Sequence, residues 1–290
     1  MSNIHLMVLG LGYTGTAIAA SAAELGWQVT ATSRNPSRLT PPPGISLIDF
    51  GDAGPELKSV THLVQTAAPD EHGDPALARY GAEIAAAPGL RWAGYLSTTG
   101  VYGDRAGGWV DEDTPVAPTV ARAQRRVAAE QAWAAAVPNC AVDLFRVAGI
   151  YGPGRSAFDD LRSGQARRVA KPGHLFGRIH RDDIAAAVLA AMQQPRQPGV
   201  RVLNLADDEP AASADVTAEA ARLLGVSPPP LVPFAEAING MSSMGRSFWS
   251  ENRRVKSKKT QQILNLRWRY PTYREGLRAI LQQELTEGTM

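Results

Sequence analysis

Gly10-Leu11-Gly12-Tyr13-Thr14-Gly15 is the stretch that decides the fold of this 290-residue chain. It directly follows the short apolar run Ile4–Leu9 and opens the alanine-rich segment Thr16–Leu25. An apolar run of that length indicates a buried strand, and the alanine-rich segment favours a helix. The glycines therefore lie in a turn between the first strand and the first helix.

Each glycine of this turn has a physical reason to be there. Gly10 allows a tight turn, Gly12 lets the backbone approach a pyrophosphate, and Gly15 lets helix and strand pack closely. The free N–H groups and the dipole at the helix N-terminus would stabilise the phosphates. The turn predicts a dinucleotide site whose first residues are Gly10, Leu11, Gly12, Tyr13, Thr14 and Gly15.

Short apolar runs alternate with helical segments along residues 1–150. The runs that we expect to be buried strands are Ile4–Leu9, Gln28–Thr32, Ile45–Phe50, His62–Ala67, Ala93–Thr98 and Val142–Arg146. Thr16–Leu25, closed by Gly26, and Val120–Ala136 are the clearest helices. Parallel strands need crossovers of this kind, so the pattern predicts an α/β fold, a Rossmann-type doubly wound parallel sheet.

After residue 150 the alternation becomes irregular. We expect helices over Asp182–Gln193 and Ala214–Leu224, with a strand over Val202–Ala206 between them. Asp182 is well placed to cap the first of these helices. Residues 151–290 are thus predicted to form a smaller substrate lobe, interleaved with the last elements of the dinucleotide-binding domain over residues 1–150.

The segment after the second strand indicates which dinucleotide binds. NAD-binding proteins usually have an acidic residue there, against the ribose 2′-hydroxyl, whereas this chain has Ser33 and Arg34. A guanidinium and a hydroxyl suit a 2′-phosphate, because arginine forms paired, charge-assisted hydrogen bonds with phosphate oxygens. NADP(H) is therefore the expected cofactor, the alternative being that Arg34 is a solvated loop residue.

The composition limits the kinds of partner that this protein is expected to bind. With 30 basic and 28 acidic residues the net charge is +2, too balanced for a protein whose main partner is nucleic acid. One cysteine and five scattered histidines give no metal-ligand spacing. No apolar stretch reaches membrane-spanning length, and no secretory signal is evident at the N-terminus. We expect a cytoplasmic protein that binds a small-molecule substrate.

The chain resembles the extended and atypical members of the short-chain dehydrogenase/reductase superfamily, the epimerase/dehydratase-like group, over nearly its whole length. The segments that carry the resemblance are Gly10–Gly15, Leu96–Gly103, Phe145–Gly154, Ile179–Ala185, and Leu266–Trp268 with Tyr270-Pro271 before Glu275–Leu277. The resemblance implies that Asp49 and Phe50 flank the adenine. It also implies that Thr66, Ala67 and Ala68 pass along the cofactor's ribose, and it is compatible with a homodimer.

The resemblance also implies a catalytic Ser or Thr, a proton-transferring Tyr and a Lys four residues later. Thr98 matches the hydroxyl residue, but Arg122 and Arg126 stand at the Tyr and Lys positions. Arginine keeps its proton at neutral pH and is a poor general acid or base. Arg126 could approach the cofactor ribose or a substrate anion, or both arginines could belong to a solvated helix face.

A relocated proton donor is then needed, and Tyr102 is our first candidate, followed by Tyr151 and His180. The basic run Arg253–Lys259 is expected to be a solvated face, with contact to an anionic substrate group as the alternative. Gly149 replaces an asparagine that contacts substrate in sugar-nucleotide members, which weakens that assignment. We expect an oxidoreductase acting on a small carbonyl or alcohol. The alternatives are a non-catalytic NADP(H) sensor or scaffold and a nucleotide-sugar epimerase or dehydratase with a relocated base.

Overall fold

A computed structural model describes residues 4–288 of the chain, in which strands and helices alternate. The strands are β1 (His5–Leu9), β2 (Gln28–Ser33), β3 (Ile45–Asp49), β4 (His62–Gln65), β5 (Trp92–Thr98), β6 (Trp109–Val110), β7 (Ala141–Val147), β8 (Gly149–Tyr151), β9 (Arg168–Ala170), β10 (Arg178–His180), β11 (Gly199–Leu205), β12 (Leu231–Pro233) and β13 (Arg254–Val255). The α-helices are α1 (Tyr13–Glu24), α2 (Ala53–Glu56), α3 (Pro75–Ala85), α4 (Ala121–Ala136), α5 (Ala157–Arg162), α6 (Arg181–Gln193), α7 (Ser213–Leu224), α8 (Phe234–Ala237), α9 (Ser243–Trp249), α10 (Lys258–Leu264) and α11 (Tyr273–Glu287).

The central sheet has seven strands in the order β11-β7-β5-β4-β1-β2-β3. All neighbouring pairs run parallel. The chain leaves β1 towards one edge through β2 and β3, and then returns to β4 on the other side of β1. Ligands of doubly wound sheets bind at such a switch point, beyond the carboxyl ends of the strands. The predicted α/β doubly wound parallel sheet is confirmed.

Alternation of side chains along the strands divides the core into two layers. On β1, Leu6 and Val8 belong to one buried cluster and Met7 to the other, because successive side chains point to opposite faces of a sheet. Trp133 of α4 is fully buried and stacks on Tyr95, with ring centroids 6.5 Å apart. Burying a large apolar side chain contributes about 1.5–3 kcal/mol, so these layers hold the strand ends in fixed positions.

Each predicted strand is present, and the helix predictions are right except at their ends. Helix α1 begins at Tyr13 rather than Thr16, and α6 begins at Arg181. The capping prediction at Asp182 is wrong. His180 is the N-cap of α6, and its imidazole Nδ1 accepts a hydrogen bond from the backbone N–H of Asp182. An imidazole nitrogen can replace a carboxylate oxygen as the acceptor of a helix cap.

The later part of the chain builds a wall opposite the carboxyl edge of the sheet. A third buried cluster, which includes Tyr151 and Phe158, joins α5, α7 and α11. Strand β8 pairs with β10, and β13 pairs with β6, which follows β5 in the chain. These pairings bring residues far apart in sequence to the end of β5. None of the helices within residues 4–288 is long and apolar enough to cross a membrane.

Candidate functional site

The glycine turn is closely packed on one side and open on the other. Gly10 has a φ of +103°, and a Cβ there would lie 2.8 Å from Oγ1 of Thr66. A Cβ on Gly15 would lie 2.2 Å from the carbonyl oxygen of Gly10, whereas a Cβ on Gly12 would meet nothing within 4 Å. The structure therefore leaves space at Gly12, where the sequence predicts the approach of a pyrophosphate.

Two threonines hold the turn in place. The hydroxyl of Thr66 donates to the carbonyl oxygen of Gly10 at 2.6 Å, and the N–H of Gly10 donates to Oγ1 of Thr32 at 3.1 Å. Within the described part of the chain no side chain caps the N-terminus of α1, so its first N–H groups are left for a ligand. Thr66 thus positions the turn from β4, and Thr32 is a positioning residue that sequence reasoning missed.

Tyr13 connects the glycine turn to the later part of the chain. Its hydroxyl donates to the carbonyl oxygen of Pro153 at 3.0 Å. The guanidinium carbons of Arg155 and Arg181 lie 5.6 and 5.0 Å from the centroid of its ring. Two guanidinium groups therefore flank Tyr13, the first residue of α1; Arg181 is paired with Asp182 at 3.2 Å, so Arg155 is the one whose charge favours phosphate at this end of the helix.

The residues predicted to hold the adenosine end follow β2 and β3. Arg34 is exposed, and no hydrogen bond or ion pair engages its guanidinium within the described residues. Ser33 accepts a hydrogen bond from the N–H of Asn35 at 3.1 Å, which orients its hydroxyl in this loop. Asp49 caps the turn after β3 by accepting from the N–H of Gly51, and the ring of Phe50 packs edge-on against Tyr80. Arg34 is thus available for a ligand.

A cavity of about 660 Å³ opens beyond the carboxyl ends of β4, β5 and β7. Ala68 and Thr98, both predicted site residues, lie in its wall. Its charged lining consists of five arginines and one glutamate, which are Arg122, Arg126, Arg155, Arg178, Arg253 and Glu251. A second cavity of about 430 Å³ adjoins it and shares Tyr151, Arg155 and Arg178. Five guanidinium groups against one carboxylate make this a positive cavity.

Thr98 occupies the last position of β5. Its Oγ1 accepts a hydrogen bond from the N–H of Gly100 at 3.1 Å and keeps its own proton available for another acceptor. Directly before it, the hydroxyl of Ser97 donates to Glu130 of α4 at 2.5 Å. Glu130 also forms a buried, bidentate ion pair with Arg146 of β7, at 2.8 and 3.1 Å. This network fixes the end of β5 against the helix.

The two arginines that replace the expected Tyr and Lys have different surroundings. Arg126 donates through Nη1 to the carbonyl oxygen of Leu96 at 2.8 Å and to the hydroxyl of Tyr95 at 3.1 Å. Arg122 is exposed, and its guanidinium carbon lies 4.2 Å from the ring centroid of Phe248 in α9. Both line the cavity, so the alternative of a solvated helix face does not describe Arg126, whereas Arg122 is exposed to solvent and also faces the cavity.

The structure contradicts the choice of Tyr102 as proton donor. Its side chain is fully buried, and its hydroxyl donates to Oδ1 of Asn204 at 2.7 Å, away from the cavity lining. The motif places Tyr102 in the turn after β5, but that turn directs the ring into the core. Burial also raises the pKa of Tyr102 despite the nearby Arg146, which makes proton release harder.

His180 and Tyr151 are no better placed. His180 is 1% exposed, is absent from the cavity lining, and has its Nδ1 occupied as the cap of α6. Tyr151 does line the cavity, but burial, with the carboxylates of Asp207 and Asp183, raises its pKa well above the usual range. Neither side chain is suited to transfer a proton at neutral pH.

The basic run near the C-terminus is the expected solvated face at Lys256, Lys258 and Lys259, which are exposed, but not at Arg253. Arg253 is half-buried and lines the cavity, where its Nη1 donates to the carbonyl oxygen of Gly103 and to Glu251. Val255 and Ser257 are buried as well. The pairing of β13 with β6 carries this run into the site, a long-range contact that charge patterning does not reveal.

Within residues 4–288 no cluster of His, Cys, Asp and Glu could hold a metal ion. No family model matches the chain. Protein YeeZ of Escherichia coli K12 is 30% identical over 239 residues, which cover 77% of this chain and 84% of that protein. A solved, functionally unknown protein from Silicibacter pomeroyi is 46% identical, with a TM-score of 0.89 over 97% of this chain and 99% of the other.

More distant solved structures share the fold. A human epimerase family protein, SDR39U1, solved with NADPH, is 18% identical, with a TM-score of 0.73 over 96% of this chain and 99% of the other. At that identity the likeness concerns the arrangement of strands and helices alone.

Proposed function

The chain belongs to the family of Protein YeeZ, and we propose that it is an NADP(H)-dependent oxidoreductase of the extended, epimerase/dehydratase-like short-chain dehydrogenase/reductase superfamily. Its substrate would be a small molecule with a carbonyl or alcohol group. One observation carries the proposal: Thr98, at the carboxyl edge of the sheet, lines the positive cavity, whose wall also includes Ala68 from the segment after β4.

The residues present fit the dinucleotide. Gly12 and the uncapped start of α1 leave room and N–H groups for the pyrophosphate, with Arg155 and Arg181 beside them. Ser33 and Arg34 would hold the 2′-phosphate, which favours NADP(H) over NAD(H). Asp49 and Phe50 would flank the adenine, and Thr66, Ala67 and Ala68 the ribose. When bound, the nicotinamide donates or accepts a hydride.

The reacting carbonyl would lie against Thr98. The hydroxyl of Thr98 donates a hydrogen bond to the carbonyl oxygen and stabilises the negative charge that develops there. Arg126, held by the carbonyl oxygen of Leu96, adds positive charge to the same wall. The described cavity lining contains no His, Lys, Asp or Cys, and Glu251 is engaged by Arg253. We therefore assign the proton of the product hydroxyl to water.

The replacement of the Tyr and Lys pair by Arg122 and Arg126 supports a second candidate, a sensor that binds NADP(H) without turnover. The test is to incubate the purified protein with NADPH and a panel of aldehydes, ketones and oxo acids while cofactor oxidation is followed by absorbance. Substrate-dependent oxidation that is lost in the Gly12→Val variant supports the oxidoreductase. Tight NADPH binding without oxidation across the panel refutes it and supports the sensor.

A further inference from the structure

The positive charge of the cavity is only partly compensated by acidic side chains. Among the five lining arginines, Arg253 is the one that forms an ion pair with another lining residue within residues 4–288, Glu251, and Arg178 is attracted by the buried carboxylate of Asp207 outside the lining. Arg126 and Arg178 donate to neutral carbonyl groups, and Arg178 is half-buried. Uncompensated guanidinium groups in a concave site are costly unless an anion is bound there, since low-dielectric walls strengthen the repulsion between them.

Part of this positive charge lies beside the predicted dinucleotide site. Arg155 adjoins Tyr13 of the glycine turn, where the pyrophosphate would lie. Arg253 lies elsewhere, near the turn after β5, and Arg122 lines the cavity from the first turn of α4. The terminal Nη2 of Arg253 lies 3.7 Å from the position that a Cβ would occupy on Gly100, and Oγ1 of Thr98 lies 3.4 Å from the same point. A guanidinium of the cavity is therefore a near neighbour of the hydroxyl that would hold the reacting oxygen.

The N-terminus of α4 reaches the same wall. Val120, Arg122 and Ala123, from its first turn, line the cavity. Among the described residues no side chain caps this 16-residue helix, and its first turn has no acidic residue. The carboxylate of Glu251 accepts a hydrogen bond from the hydroxyl of Thr119 and pairs with Arg253, so it ties the start of α4 to the segment that carries Arg253 and offsets part of the charge of that arginine. The helix N-terminus and the guanidinium of Arg122, which has no acidic partner among the described residues, belong to the same cavity wall, and both favour an anion.

We infer that the substrate carries a carboxylate or phosphate group, bound between Arg122, Arg253 and the N-terminus of α4. This inference rests on the proposed function for the carbonyl at Thr98 and adds the substrate class. Because Thr98 and Arg253 are near neighbours, the anionic group lies only a few bonds from the carbonyl. Short oxo acids and phosphorylated ketones have this form. Arg122 then binds substrate at the position where the family has its proton-transferring tyrosine.

The test measures binding rather than turnover. Calorimetric titrations use 2-oxobutanoate as the carboxylate probe, dihydroxyacetone phosphate as the phosphate probe, and methyl 2-oxobutanoate as the uncharged analogue. Each is run with cofactor-free protein and with protein saturated by NADPH, which fills the sites at Arg34 and the glycine turn. We expect at least one anionic probe to bind about tenfold or more tightly than the ester, and the better probe identifies the group.

Arg122→Gln should weaken that binding about tenfold or more. It should fold normally, because the guanidinium is exposed and stacks only on Phe248. Arg125→Gln is the matched control: Arg125 is exposed on the same helix but does not line the cavity, so binding should be unchanged. Equal affinities for acid and ester, no saturable anion binding, or equal binding by Arg122→Gln would overturn the inference.

The two proposals fail separately in these experiments. Anion binding that depends on Arg122, without NADPH oxidation by any carbonyl, refutes the oxidoreductase and leaves the anion site standing. Oxidation of NADPH by uncharged carbonyls, without anion binding at Arg122, refutes the anion site and leaves the oxidoreductase standing.

Discussion

The hydroxyl of Tyr102, in the turn after β5, donates a 2.7 Å hydrogen bond to Oδ1 of Asn204 on β11, inside the core. Asn204 is itself fully buried, and its Nδ2 donates to the carbonyl oxygen of Lys256. The guanidinium carbon of Arg146 lies 4.9 Å from the centroid of the Tyr102 ring. Tyr102 therefore ties the turn after β5 to Asn204 of the edge strand β11, and Asn204 ties that strand to the segment after β13, so the role of Tyr102 is structural.

Tyr102→Phe should accordingly leave turnover within about twofold of the unmodified protein and reduce stability. It would leave the buried Oδ1 of Asn204 without a donor, which costs about 1–3 kcal/mol. Urea unfolding measures the free-energy change, and steady-state oxidation of NADPH measures the rate. If the variant had normal stability and a turnover reduced a hundredfold, Tyr102 would be the proton donor and its role would not be structural alone.

The sequence predicts the sheet well because the relevant signals are local. Apolar runs such as Ile4–Leu9 and the turn at Gly10–Gly15 specify strands and close packing within a few residues. Helix α3 was missed, although Asp74 and Pro75 are a good cap and first residue, because its short, mixed segment has weak periodicity. Local patterns in the sequence therefore predict most of the fold, and short or atypical helices such as α3 are the elements that they do not predict.

The site is harder to predict because its wall is assembled from distant segments. Arg253 comes near Thr98 because β13 pairs with β6. Thr32 of β2 accepts a hydrogen bond from the N–H of Gly10, which follows β1. The direction of the Tyr102 ring depends on Asn204, more than a hundred residues later. No spacing in the sequence encodes these contacts, so the catalytic candidates based on neighbouring residues were the weakest predictions.

Gly12 and Gly15 should respond differently to substitution. Gly12→Val places a side chain in open space, so the protein should fold but lose NADPH binding because the pyrophosphate is obstructed. Gly15→Val forces a contact at 2.2 Å with the carbonyl oxygen of Gly10 and should destabilise the domain itself. Circular dichroism with thermal unfolding and calorimetric NADPH titration separate the two effects. Normal NADPH binding by folded Gly12→Val would contradict the phosphate site.

Arg34 should determine the choice between dinucleotides. We expect NADPH to bind at least about tenfold more tightly than NADH, since charge-assisted hydrogen bonds contribute about 1.5–3 kcal/mol. Arg34→Ala should remove most of that difference while leaving NADH affinity unchanged. Arg38→Ala is the control, because Arg38 is also exposed but lies in the next turn. Equal affinities for the two dinucleotides in the unmodified protein would contradict the assignment.

His180 should make the protein sensitive to acid. Burial, with Arg181 and Arg269 nearby, lowers the pKa of His180 from 6.5 to about 4, although Asp182 opposes this shift. Between these values the unfolded chain binds a proton that the folded protein excludes, so stability falls as pH drops from about 6.5 towards 4. Its Nδ1 must also stay unprotonated to accept from the N–H of Asp182.

The difference in unfolding free energy between pH 7.5 and pH 4.5 should therefore shrink by about 2 kcal/mol in His180→Asn, which keeps a capping side chain. The control His72→Asn should leave it unchanged, because His72 is exposed. Urea unfolding at the two pH values gives the comparison. An identical pH dependence in His180→Asn and the unmodified protein would show that His180 is protonated in the folded state.

Thr98 provides the most direct test of the reaction. Thr98→Val removes the hydroxyl with little change in shape, so kcat should fall roughly 10²-fold through loss of the hydrogen bond to the developing oxyanion. NADPH affinity should be nearly unchanged, because the dinucleotide is held by the glycine turn and Arg34. Thr98→Ser keeps both the hydroxyl and its acceptor role towards the N–H of Gly100, and should retain kcat within a few fold.

Arg122→Ala should differ in kind from Thr98→Val. A guanidinium that binds the anionic group equally before and during the reaction contributes to KM, whereas a group that acts on the reacting oxygen contributes to kcat. Steady-state kinetics of both variants with one oxo acid should therefore show a raised KM for Arg122→Ala and a lowered kcat for Thr98→Val. Unchanged turnover in Thr98→Val would remove Thr98 from the mechanism, because its hydroxyl would then contribute nothing to the stabilisation of the reacting oxygen.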